Sequence, residues 1–151
     1  MKITVLGSGT SQGVPIITCD CDVCHSSDVR DMRLRTSILV ETKDTTICID
    51  AGPDFRYQML RAKVKKLDAI LITHEHKDHI GGLDDARPLI FVQKKPMTVY
   101  ASIEAQEEIK REYSYAFANE DERYPGAPTF NLITIDGSPI KINELTIEPI
   151  E

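Results

Sequence analysis

The amino-acid sequence predicts an α+β domain, a mixed sheet with helices packed on one face. Three observations lead there. Residues 1–50 hold short β-type runs close enough to pair as antiparallel neighbours. From residue 67 onward, strand-like runs alternate with helix-like ones, the order expected when helices cross over between strands of one sheet. The 151 residues, 41% hydrophobic and 28% charged, suit one domain with a substantial core, residues 1–151.

The elements follow in order. Residues 2–6 read as the first strand. Residues 34–40 and 45–49 are apolar or β-branched around a polar turn at 41–44, which predicts a hairpin. Asp50-Ala51-Gly52-Pro53 breaks the pattern, and Pro53 can open a short helix on which Phe55 and Met59 share an apolar face. The apolar run at 67–72 marks a buried strand over residues 68–73. A helix is expected over roughly residues 80–93, interrupted by Pro88. Residues 97–101 form the next strand. Ser102 is a good N-cap for the strongest helix, residues 103–117, with Ala105, Ile109 and Tyr113 on one face and Glu107 placed to pair with Arg111. Residues 119–128 are a polar loop with Pro and Gly, and residues 130–135 and 145–150 read as strands, with a turn around Asp136-Gly137.

The net charge of −6 argues against broad binding to nucleic acid or to a membrane surface. No apolar run approaches a membrane span and no leader pattern follows Met1, so the expected location is cytoplasmic, where thiols stay reduced. Two disulfides from the four cysteines are then not expected.

The most informative segment is Thr73-His74-Glu75-His76-Lys77-Asp78-His79. Three of the four histidines of the chain lie here, and imidazole with carboxylate is a donor set that zinc, manganese or iron accepts. Side chains so close in sequence diverge, so four ligands cannot easily surround one ion. They can serve two, with His74 and His76 turned to one and Asp78 and His79 to the other. The spacing excludes a His-Glu-x-x-His zinc helix. The ligands follow a buried strand, on a loop held by the sheet yet open to solvent.

Cys19, Cys21 and Cys24 place three thiolates within six residues, a candidate structural zinc site. The fourth ligand must come from elsewhere, because His25 adjoins Cys24 and simultaneous ligation by both is strained. Cys48 lies in a predicted strand and reads as a small core residue. Gly7-x-Gly9 after a strand lacks the third glycine of a dinucleotide loop, since position 12 is Gln12. A tight turn that brings backbone amides towards the metal site is the better account.

His74-x-His76-x-Asp78-His79 followed by Gly81-Gly82-Leu83 resembles the signature of the metallo-β-lactamase-fold hydrolases. With Gly7-Ser8-Gly9-Thr10-Ser11-Gln12-Gly13-Val14-Pro15 and the Cys19-x-Cys21-x-x-Cys24 cluster, the chain most resembles the phosphoribosyl cyclic phosphodiesterase branch, the enzymes of phosphonate breakdown. The resemblance covers most of the chain up to about Gly82 and is weaker beyond. It implies an αββα sandwich of which residues 1–151 are the N-terminal half. It places Asp50 beneath the metals, where a carboxylate accepting an imidazole N–H orients the ligand loop; a helix N-cap ahead of Pro53 is the other reading of Asp50, and both roles can hold. It also implies that a distant histidine completes the cysteine cluster. The family's full site uses a third histidine on the first ion, a bridging aspartate, a histidine on the second ion and a further histidine near substrate. No histidine follows His79, so the chain is expected to be part of a longer hydrolase whose general acid lies outside it.

The expected activity of the complete protein is therefore metal-dependent hydrolysis of a small cyclic, anionic phosphodiester by two-metal-activated water, with two divalent ions (zinc or manganese, with iron open) and one structural zinc. The 151 residues alone are expected to be nearly inactive, and half a sandwich should leave a sheet face to be covered, for instance in a homodimer. The rivals are other hydrolases of the fold (a tRNA 3′-processing nuclease, a lactonase or a thioesterase) and a non-catalytic zinc-binding module. The acidic balance and the lack of a basic arm disfavour the nuclease.

Overall fold

Six strands form one twisted sheet in chain order: β1 (Lys2–Gly7), β2 (Ser37–Glu41), β3 (Thr46–Ile49), β4 (Ala69–Leu71), β5 (Met97–Ala101) and β6 (Phe130–Thr134). The computed structural model describes residues 1–119 and 121–150. β1, β2 and β3 pair antiparallel, with Leu39 opposite Cys48. β3 to β6 run parallel, joined by crossovers that carry α1 (Phe55–Ala62), α2 (Lys77–Ile80) with α3 (Arg87–Gln93), and α4 (Ile103–Glu112). Period-two alternation decides which side chains meet the helices. Leu39, Cys48, Ile70 and Val99 face one way and pack with Phe55, Ile80, Leu83, Ile90 and Ile109 in the main core. The mixed sheet with helices on one face is thus the observed architecture.

The other face is treated differently. Ile47, Ala69 and Leu71 pack under a small antiparallel hairpin, β7 (Ile140–Ile142) and β8 (Leu145–Ile147), which forms a second two-stranded sheet. Glu144 in the hairpin turn accepts hydrogen bonds from the Thr42 and Thr45 hydroxyls beside the β2–β3 turn, pinning the hairpin to the main sheet. The hairpin covers the middle of the sheet and stops short of its edge. On β1, Ile3 and Val5 remain 60% and 61% exposed.

Several element bounds differ from the sequence reading, each for a local reason. β2 begins at Ser37, not at residue 34, because the carbonyls of Arg33 and Leu34 accept from Val14 and Gly9 of the glycine loop. A Cβ at Gly7 would collide with the Arg35 carbonyl, so this loop is glycine-rich to lie flat on residues 33–35. The helix expected over 80–93 is three pieces: α2, a 3-10 turn Leu83–Ala86, and α3. Pro88 opens α3, within the first turn where a missing N–H costs little, and does not interrupt a longer helix. α4 ends at Glu112, and a 3-10 turn Ser114–Ala116 follows. On α4, Arg111 pairs with Glu108 at 2.6 Å, not with Glu107. The strand expected over 145–150 is only β8, ahead of Pro149, and β7 was not anticipated because three residues after Pro139 give too short a pattern.

Candidate metal centre

Asp50 closes β3 and is the pivot of the site. Its backbone is left-handed, φ +63°, a conformation that asparagine and aspartate tolerate better than most residues but still at a cost of order 1–3 kcal/mol. The strained bend sends residues 50–52 across the start of the motif helix. Ala51 N–H donates to the His79 carbonyl at 2.8 Å, and Gly82 N–H returns a bond to the Ala51 carbonyl at 2.8 Å. Any Cβ at Gly52 would collide with the Asp78 carbonyl, so glycine is what allows this strand end to lie directly against α2.

The Asp50 carboxylate, 3% exposed, gathers the motif around it. Thr73 donates its backbone N–H at 2.9 Å, and its hydroxyl lies 2.9 and 3.0 Å from the two carboxylate oxygens. His79 Nδ1 is 2.7 Å from Oδ2. An ionised carboxylate only accepts, so the hydrogen-bond network assigns a proton to His79 Nδ1 and leaves a lone pair on Nε2. The single Thr73 proton goes to Asp50. A Thr73 lone pair can then accept from His74 Nδ1 at 3.0 Å, which frees His74 Nε2 in the same way. Asp50 makes no helix cap: α1 is preceded by Asp54, whose carboxylate instead takes Arg35 at 3.1 Å. Arg35 also donates to the Ser11 carbonyl at 2.8 Å, tying the glycine loop to the start of α1. A Cβ at Gly7, Gly9 or Gly13 would meet the carbonyls of residues 33–35, so these glycines let the loop lie against that segment.

The freed nitrogen meets the fourth motif residue. His79 Nε2 lies 3.2 Å from Asp78 Oδ2. A lone pair and a carboxylate oxygen at that distance repel unless a proton or a cation lies between them. Two ligands on a tetrahedral ion with bonds of about 2.1 Å are about 3.4 Å apart, so the pair is close to a chelating separation. His74 and His76 form a second pair, ring centroids 4.8 Å apart and edge-on, and the His74 ring lies 3.9 Å from that of His79, tilted by 48°. These donors do not collapse into one compact group: among the described residues, the triple whose ligand atoms all lie within 4.8 Å of one another is Cys19, Cys21 and Cys24. As a donor set, three imidazoles and a carboxylate in one segment suit a divalent ion.

Two consecutive residues of the α4 end hold the motif helix from below. The carboxylate of Glu112 pairs with Lys77, which sits between His76 and Asp78, and the Tyr113 hydroxyl donates to the Ile80 carbonyl at 2.8 Å. Burial, followed by the neighbouring Glu112 charge, pushes the Tyr113 phenol well above its ordinary range and keeps it a donor. Thr73, Lys77, Glu112 and Tyr113 were not singled out for these roles from sequence. Tyr113 was visible only as part of an apolar face, and a hydroxyl at the base of a buried face is the signal that was there to read.

The cysteine cluster is a second, separate donor set. Its sulfurs all lie within 4.8 Å of one another, close enough together for three thiolates to converge on one ion. The Cys24 amide, helped by the Cys19 and Cys24 thiols, draws the Cys21 thiol down to about 7. For Cys24, the Ile16 amide acts in the same downward sense, but desolvation and the neighbouring Cys19 and Cys21 push it up overall. His25 turns to Asp20 at 3.4 Å, so within residues 19–25 the cluster supplies three ligands. Cys48 is fully buried, its thiol pushed up to about 12 by desolvation.

The profile of the β-lactamase superfamily domain matches residues 45–151. The chain belongs to the metallo-β-lactamase superfamily. Its fold superposes with a TM-score of 0.86 on the crystal structure of a diphosphatase from the PhnP family, at 40% identity, over 98% of this chain and 55% of that one. It is 43% identical over 152 residues to an octanoyltransferase from Porphyromonas gingivalis, covering 99% of this chain and 30% of that protein. The Zn(2+)-bound PqqB from Methylobacterium extorquens shares the fold, with a TM-score of 0.73 at 22% identity, over 93% of this chain and 52% of that one. This superfamily member thus spans about half of the solved relatives and a third or less of the curated one. No helix among the described residues is long and apolar enough to cross a membrane.

Proposed function

We propose that residues 1–151 supply one half of the dinuclear site of a metal-dependent hydrolase that cleaves a small cyclic phosphodiester. The observation that carries this reading is the Asp50–His79–Asp78 line: a buried carboxylate fixes the proton of His79, and the freed nitrogen stands 3.2 Å from a second carboxylate. His74 and His76 would hold one divalent ion, and Asp78 and His79 the other. When bound, such ions make water nucleophilic near neutral pH and offset phosphoryl charge, which supports an anionic substrate on a chain of net charge −6. Asp50 and Thr73 keep the imidazoles in the ligating tautomer, and the grip of Glu112 and Tyr113 on α2 holds Asp78 and His79 in register with Asp50. On this reading the remaining ligands and the general acid would come from outside residues 1–151. Cys19, Cys21 and Cys24 would hold a structural zinc whose fourth ligand also lies outside residues 19–25.

A second reading has its own support. The diphosphatase that is 40% identical to this chain favours cleavage of a diphosphate bond by the same half-site. The deciding experiment assays the longer gene product, loaded with manganese or zinc, on a five-membered cyclic phosphodiester, a dinucleoside diphosphate, a lactone and a thioester. Preferential hydrolysis of the cyclic ester, abolished by chelator and restored by metal, is expected. Faster turnover of the diphosphate would move the assignment to the second reading. The 151-residue chain alone is expected to turn over none of them at a comparable rate. The apolar edge at Ile3 and Val5 makes self-association of that chain an expected property, measured by sedimentation.

A further inference from the structure

A groove with a cavity volume of about 410 Å³ opens on the outer side of the helical layer, between α1 and the start of α3. None of His74, His76, Asp78, His79 or the loop cysteines lines it. Its apolar lining is Met59, Leu60, Val64, Pro88 and Leu89, of which Met59 is buried and Leu60 is 59% exposed in spite of its character. Its rim carries three cations, Arg56, Lys63 and Lys65, against one acid, Asp85. That balance is opposite to the net charge of −6 of the whole chain.

The cations are also unengaged. Arg56, Lys63 and Lys65 form no ion pair within 4 Å among the described residues, a property they share with Arg33, Lys43, Arg61, Lys94, Lys110, Arg123 and Lys141; what distinguishes them is their place around one apolar groove. The helix dipole accounts for one cation at the end of α1, where Lys63 takes the left-handed cap position at φ +56°. It does not account for three around an apolar floor. A concave apolar surface of this size with a few convergent charged groups is the usual form of a small-ligand site. A neutral lipid would leave the cations unused, and a hydrophilic polyanion would leave the floor unused.

We propose that this groove binds an amphiphile with a single anionic head and an unbranched apolar tail, of which a medium-chain carboxylate is the simplest. The head lies among Arg56, Lys63 and Lys65, and the tail lies along Met59, Val64 and Leu89.

The test follows the Met59 methyl resonance of the 151-residue chain during titration with sodium octanoate. A saturable shift is expected, weakening as sodium chloride is added because the rim is exposed to screening. Lys63→Glu combined with Lys65→Glu should weaken binding about tenfold while zinc uptake by the cysteine cluster is unchanged. Octyl sulfate should bind like octanoate, since both present one anionic head. Absence of a saturable shift would overturn the proposal. So would equal binding of 1-octanol, or an octanoate affinity indifferent to salt, and the salt arm reads the charge requirement even where the double variant fails to fold.

Discussion

The Tyr113 hydroxyl reaches across the core to the backbone carbonyl of Ile80, 2.8 Å away, and so fixes the last residue of the helix that carries Asp78 and His79. This helix is only one turn long, too short to be stable on propensity alone. Its geometry is held by neighbours: Tyr113 and Glu112 below, and Ala51 and Gly52 alongside. Tyr113→Phe keeps the ring and strands a buried carbonyl, which costs about 1–3 kcal/mol. The urea unfolding midpoint should fall accordingly with little change in slope. Metal affinity at the histidine motif should fall as well, measured by competition with a chelator. Unchanged stability would show that Ile80 finds another donor.

Asp50→Asn tests the positioning of the histidines. The side chain keeps its size and tolerates φ +63°. It loses the charge opposite the His79 Nδ1 proton, and its amide donates where the carboxylate accepted. Loss of such a supporting partner usually weakens metal binding about tenfold to a hundredfold. The variant should show that loss for zinc or manganese, while nitrogen-15 spectra should show a smaller fraction of His79 protonated at Nδ1. Affinity within a factor of about two of the parent would remove Asp50 from this role.

The donor cluster was legible because His74, His76, Asp78 and His79 stand within six positions, and residues so close in sequence stay close in any backbone. The order of strands and helices was legible from period. What was not legible depends on contacts far apart in sequence. Residues 34 and 35 read as the start of a strand, but pair with the glycine loop. Pro88 looks like an interruption, but marks a start. The joins of Lys77 with Glu112 and of Ile80 with Tyr113 cross more than thirty positions, and only the folded chain brings them together.

The four cysteines should separate by reactivity. Cys48 is sealed in the core with its thiol pushed up to about 12, so almost none of it is thiolate at neutral pH. Cys21, drawn down to about 7, is exposed. Iodoacetamide should modify Cys19, Cys21 and Cys24 in the folded, metal-free chain, with Cys21 fastest, and should reach Cys48 only after denaturation. One equivalent of zinc should protect the three loop cysteines together. Labelling of Cys21 that ignores zinc would exclude it as a ligand.

The hairpin that covers the second face should loosen in acid through Glu144. Hydrogen bonds from Thr42 and Thr45, then from its own amide, hold its carboxyl at about 2, against an ordinary value of 4.5. A carboxyl depressed in the folded state stabilises that state above its unfolded value, and the contribution is lost as pH falls through the folded one. Glu144 thus supports the hairpin fully above about pH 4.5 and progressively less towards pH 2. Exposure of the carboxylate to solvent keeps the effect small. Amide exchange protection at Ile140 and Ile142 should fall over that window in the parent chain. In Glu144→Gln it should start lower and change less with pH. A parent and variant that lose protection in parallel would mean that another carboxylate anchors the hairpin.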